Sequence, residues 1–186
     1  MQHHDLALRD DLAKSGALYD GYHPQMRALH ESNADEMVNI LDEIDWPTAE
    51  LVGADASGAA WLIVQHAISR PDLMRSALLR LRTACDRGTG DKLHLAMLED
   101  RICYLEGRPQ VFGTTLDWDD DGTLGPGALQ DEQHVDARRQ SVGLEPLALA
   151  LEQARKAASA AGEQAPADLP QRRRQAEQFA VAVGWR

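Results

Sequence analysis

The feature that most constrains this chain is the run Ala59-Ala60-Trp61-Leu62-Ile63-Val64-Gln65-His66-Ala67-Ile68. It is apolar on nearly every face, so it demands cover on all sides. The spacing predicts the central helix of a bundle, with an interior strand as the rival reading because of Trp61, Ile63 and Val64. The run is far too short to span a bilayer. Two polar residues, Gln65 and His66, interrupt it. Successive residues of a helix point about 100° apart, so each needs its own hydrogen-bond partner.

Proline and glycine divide the rest into helical stretches. A first helix is expected over residues 5–19, with Leu6, Leu8, Leu12 and Leu18 as apolar positions, broken by Gly21 and Pro24. A second covers residues 25–44, or divides in two if Ser32 to Asp35 cap a new segment. Pro47 forces a boundary at Trp46. Pro71 opens a helix ended by Gly88 and Gly90. Residues 91–106 follow the helical period through Leu95, Leu98, Ile102 and Leu105, and Gly107 and Pro109 stop them. Val111 to Leu116 are strand-like, Asp119 to Gly122 form a turn, and Thr123 to Pro126 return. Two short helices then end near residues 143 and 160.

The fold class is therefore mostly α: a single-domain helical bundle with a small β-hairpin or ordered loop insertion. Residues 1–156 form the helical domain and 157–170, rich in Ala, Pro and Gly, a linker or disordered stretch. Residues 171–186 form a C-terminal segment, readable as helix or strand, that docks on the body or on a second subunit as a homodimer. At 186 residues the chain can bury a sizeable core without a metal or disulfide staple.

Charge narrows the partners. The formal net charge is −11, which repels phosphate backbones and anionic membranes. No nucleic acid and no membrane partner is expected. Cys85 and Cys103 match no metal or redox spacing. Met1 to Asp5 lead directly into charged, amphipathic sequence without a signal-peptide pattern, so a cytoplasmic location is expected.

Chemistry, if present, must come from polar groups in apolar surroundings. His66 is the natural proton carrier near neutral pH. Asp100 and Arg101 flank a helix face that otherwise looks packed, with Tyr104 on the same edge as Asp100. An arginine there must be paired or touch a ligand. Gln110, Phe112-Gly113-Thr114-Thr115 and Arg138-Arg139 make a third cluster, in which at most one arginine should face a common pocket; Arg139 is the choice. Three metal patterns are weaker. Asp117, Asp119, Asp121 and Gly122 open like a calcium loop, but Ala128 stands where the bidentate glutamate belongs. His3-His4 reads as an exposed terminus, and His66, Asp100 and His134 have no ligand spacing. No cofactor or metal is expected.

Trp46-Pro47, Gly53, Gln65-His66, Asp100-Arg101-Ile102, Gln110, Phe112-Gly113-Thr114, Arg138-Arg139 and Gly143-Leu144 come in an order that resembles the bacterial DUF6624 domain family over about residues 30–150. The family pattern has Gly-Trp-Pro where this chain has Asp45-Trp46-Pro47, and Tyr-Gly-Thr-Gln where it has Phe112 to Thr115. The resemblance implies an order of motifs and no reaction.

Two functions follow as expectations. The first is a metal-independent small-molecule enzyme, a hydrolase or lyase. His66 is its general acid or base and Asp100 the acidic partner. Gln65, Arg101, Tyr104, Gln110, Thr114 and Arg139 bind a substrate with an anionic group. The alternative is a non-catalytic binding or protein-interaction domain, in which the same residues form a structural polar core. A third reading is an acidic adaptor whose Arg172 to Arg174 segment meets a protein partner.

Overall fold

The computed structural model describes residues 1–15 and 22–186. Helices dominate, with one small antiparallel hairpin, as the sequence predicts. The chain forms two compact units, Met1–Asp91 and Lys92–Arg186. No described helix is long and apolar enough to cross a membrane.

The first unit contains α1 (Gln2–Ser15), α2 (Pro24–Ile44), α3 (Ala49–Val52), α4 (Ala54–His66) and α5 (Pro71–Asp86). Pro24 and Pro71 occupy first-turn positions, where a missing N–H costs nothing. The expected end of the first helix at residues 16–19 and its break at Gly21 lie outside the described residues. On α1 the buried positions are Asp5 and Leu12, while Leu6 is exposed. α2 runs unbroken through Ser32 to Asp35, because Asn33 and Ala34 lie on its buried face rather than at a cap.

The apolar run is helical, which settles the strand rival. α4 buries Ala60, Ile63, Val64 and Gln65 and leaves Trp61 and Leu62 half-buried, so it is covered mainly on one side. It packs against α1, α2, α3 and α5. Met26, Met37, Leu41, Leu73, Met74 and Leu81 complete this core. His66 is the last residue of α4, so its side chain stands where the helix meets the turn to Pro71.

The second unit contains α6 (Lys92–Glu106), β1 (Asp117–Trp118), β2 (Leu124–Gly125), a 3-10 turn (Glu132–His134), α7 (Val135–Ser141), α8 (Leu147–Ala160) and α9 (Leu169–Val183). Gly107, at φ 69°, stops α6 in the left-handed conformation, and the Arg108 N–H closes back on the Cys103 carbonyl at 2.8 Å. The hairpin pairs Asp117 with Gly125 and Trp118 with Leu124, later than the strand-like residues 111–116 suggest. The acidic turn serves the hairpin itself: Asp119 Oδ1 accepts the Asp121 and Thr123 N–H groups at 3.0 and 2.7 Å. β2 lies on α8, where Arg155 Nε donates to the Leu124 carbonyl at 2.8 Å.

The C-terminal segment is helical rather than extended. Arg173 Nη2 donates to the Trp118 carbonyl at 2.7 Å and Nη1 pairs with Asp120. Beyond α9, Trp185 is 4% exposed, and Arg186 Nε donates to the Leu105 carbonyl at 3.1 Å. Cys85 and Cys103 are buried free thiols.

Candidate functional site

The expected site residues fall into two groups, one in each unit. In the second unit, Asp100 sits on α6 with no solvent exposure. Its Oδ1 accepts the N–H groups of Val111 at 2.7 Å and Phe112 at 3.0 Å. Its Oδ2 accepts the Thr114 N–H at 2.7 Å and the Thr114 hydroxyl at 2.8 Å. Four donors converge on one carboxylate, the arrangement that lets a charge stay buried. It also explains why residues 111–116 form no strand, since their amides are turned toward a side chain.

Gln110 performs the same service further along. Its Oε1 accepts the Thr115 N–H at 2.9 Å, and its Nε2 donates to the carbonyls of Thr115 at 2.8 Å and Pro126 at 2.5 Å. Its backbone joins the segment after the hairpin, with Gln110 N–H on the Ala128 carbonyl and Gln130 N–H on the Gln110 carbonyl. Both arginines of α7 reach the same loop. Arg138 Nε donates to the Val111 carbonyl at 2.7 Å and Arg139 Nη1 to the Phe112 carbonyl at 2.7 Å. A side chain must only curl around a short helix to do this, and successive carbonyls of a loop point to different sides. Arg139 also donates to the Glu145 carbonyl at 2.6 Å and is 3% exposed; burial lowers its guanidinium pKa.

Asp100, Gln110, Thr114 and Arg139 are thus brought together, but their polar atoms are bonded to the loop over residues 110–131. Tyr104 stands apart from them. Its hydroxyl donates to Asp117 Oδ2 at 2.7 Å, and burial of the phenol together with that carboxylate pushes it up to about 12. Arg101 is half-buried on α6 and its charge is felt at Tyr104. A groove of about 630 Å³ runs along Tyr104, Trp118, Arg108, Arg155, Arg173 and Arg186.

In the first unit the carboxylate on His66 is Asp5, not the expected Asp100. His66 Nδ1 lies 2.9 Å from Asp5 Oδ1 and 3.0 Å from Oδ2. A second imidazole, His30 of α2, places Nε2 at 3.3 Å from Asp5 Oδ2. Its other nitrogen, Nδ1, meets the Tyr22 hydroxyl at 2.7 Å. The His30 and His66 ring centres are 5.1 Å apart. Asp5 is fully enclosed. Burial alone would raise its pKa, but the hydrogen-bonded His66 and the nearby His30 outweigh this and hold the carboxyl well below the usual range. Tyr22 is pushed up to about 12, mainly by burial. Gln65, one residue before His66, is buried and engaged in contacts of its own.

Asp5, His30 and Tyr22 were not among the expected site residues. A signal existed for His30. Met26, His30, Asn33, Met37 and Leu41 recur at steps of three and four, so the imidazole fills a core position of α2. A family model matches residues 1–161. The chain belongs to the DUF6624 family, a family of unknown function. The match takes in α1 to α8, and so includes Asp5, His30 and His66 as well as the Asp100 loop; α9 lies beyond it. No curated protein and no solved structure gives a match.

Proposed function

We propose that this chain is a non-catalytic binding domain whose buried polar residues chiefly hold its own loops in place. The observation that carries this reading is the saturation of Asp100: both oxygens are occupied by loop donors, and no lone pair is turned toward a substrate. A carboxylate in that state fixes a surface instead of moving protons. The loop it fixes leads into the hairpin residues Asp117, Trp118 and Asp119, which form one wall of the groove in the second unit.

That groove is the ligand seat in this account, and its chemistry favours a small molecule with an anionic group. Tyr104 and Trp118 supply aromatic lining. Arg108, Arg173 and Arg186 are each paired with a carboxylate, Glu106, Asp120 and Glu177. Arg155 makes no ion pair with a carboxylate among the described residues and bonds the Leu124 carbonyl through Nε alone, so its charge is the one this account assigns to the ligand. NMR titration of the full chain with a panel of small carboxylates and phosphate esters tests the proposal. At least one should shift the amides around Trp118 and Arg155, and Arg155→Gln should weaken that ligand about tenfold. Shifts confined to other parts of the chain, or an unaffected Arg155→Gln, would count against it. The buried free thiols of Cys85 and Cys103 support a reducing, cytoplasmic location.

One observation favours the enzyme as a second reading. Asp5 holds His66 through Nδ1, and the ring is 18% exposed with no partner for Nε2 among the described residues. That is how a carboxylate orients a histidine base. In this reading Asp5 replaces Asp100, and hydrolase or lyase turnover should vanish in His66→Ala while the fold persists.

A further inference from the structure

The groups around Asp5 carry a second conclusion, independent of the groove. We propose that Asp5, His30 and His66 form a binding site for one divalent transition-metal ion of the zinc class. One ligand atom from each residue lies within 4.8 Å of the other two. The three come from different helices, α1, α2 and the last residue of α4, so the fold gathers them from positions 5, 30 and 66. This departs from the expectation of a metal-independent protein, which considered His66 only with Asp100 and His134.

The decisive atom is His30 Nε2. It is buried, on a residue 9% exposed, and makes no hydrogen bond among the described residues. Yet it stands only 3.3 Å from Asp5 Oδ2. The separation suits a hydrogen bond but the alignment does not. A buried nitrogen left so would cost free energy that a bound ion removes. Ligand atoms at about 2.0–2.1 Å from a tetrahedral ion lie roughly 3.3 Å from one another. The separations around Asp5, 2.9, 3.0 and 3.3 Å, fall in that region. His66 is already hydrogen-bonded to the carboxylate, so the ion would replace that proton and take in His30 Nε2 as well.

The surroundings fit as well. A ligating imidazole is usually fixed through its other nitrogen, and Tyr22 stands at His30 Nδ1 to accept that N–H. Two imidazoles and one carboxylate leave a fourth position for water or a ligand. The donor set selects the chemistry. Calcium and magnesium take oxygen cages, and copper(I) takes sulfur, whereas nitrogen with one carboxylate suits zinc, cobalt(II) or iron(II).

The test uses the full chain, stripped with a chelator and titrated with Co²⁺, then with Zn²⁺ in competition. The proposal predicts one ion per chain, visible absorption from a low-coordinate cobalt site, and its loss when zinc displaces cobalt. His66→Ala and His30→Gln should each weaken uptake at least tenfold. Tyr22→Phe, which keeps the ring and removes the outer oxygen, should weaken it several-fold. The double variant His3→Ala/His4→Ala should bind as wild type, since those exposed histidines are the competing surface site. Circular dichroism identifies variants that remain folded; if His30→Gln does not, His66→Ala decides. No uptake by folded wild type, or uptake unchanged in folded His66→Ala, would overturn the site.

Discussion

Residue chemistry in this protein depends on who the neighbour is, which a one-dimensional pattern cannot state. Gln65 and His66 stand out in the sequence because they interrupt an apolar run, and both indeed have polar surroundings. The partner of His66 is 61 positions away on α1, however, and helical periodicity identifies a buried face without naming what lies opposite. Asp5 was masked further by its place beside Leu6, where a strong apolar residue is exposed and the acid is enclosed. Tyr104 permits a direct check at this scale. Burial and the Asp117 carboxylate raise its phenol from the ordinary value near 10 to about 12. The folded state therefore resists ionisation more than the unfolded state does. Its contribution to stability is complete below about pH 10 and is lost as pH rises toward 12. Tyr104→Phe should remove part of that alkaline decline, measured as urea midpoints between pH 9 and 11.5. A decline of equal steepness in the variant would contradict the assignment.

At the scale of the element, most helices were legible from proline, glycine and apolar period; α6 matches its expected span closely, whereas α4 begins before the apolar run at Ala54 and ends within it at His66. The clearest exception has a local cause. The segment 111–116 has strand propensity, but Asp100, Gln110, Arg138 and Arg139 take up its backbone groups, so tertiary bonds override propensity. α2 ends at Ile44 as expected, but the residue that follows it is strained. Asp45 has φ 62° and ψ −151°, a region open essentially to glycine. Arg80 helps to hold it, donating to the Leu41 carbonyl and facing Asp45 Oδ1 at 3.3 Å. Relief of the backbone strain should exceed the loss of that exposed pair and the added freedom of glycine in the unfolded chain. Asp45→Gly is expected to raise stability by about 1 kcal/mol in chemical denaturation, and a loss of stability would refute the strain argument.

For the whole molecule, the polar residues have two destinations. In the second unit they are consumed by the fold, binding a loop that shapes the groove; in the first they converge on one enclosed carboxylate with an imidazole nitrogen to spare. The sequence revealed that such residues exist but not this division, because the number of donors around a carboxylate is decided by chain segments remote in sequence. Stability should follow the same division. Replacing one Asp100 oxygen with an amide sets N–H against N–H in a sealed space, so Asp100→Asn should cost about 3 kcal/mol.

Amide hydrogen exchange at Val111, Phe112 and Thr114 tests the central claim most directly, because these three N–H groups are the ones Asp100 is said to hold. In the wild type they should be protected to the level of the α6 interior, and in Asp100→Asn that protection should fall sharply while α8 amides keep theirs. Exchange of all three at the rate of an open loop in the wild type would contradict the account and free Asp100 for chemistry.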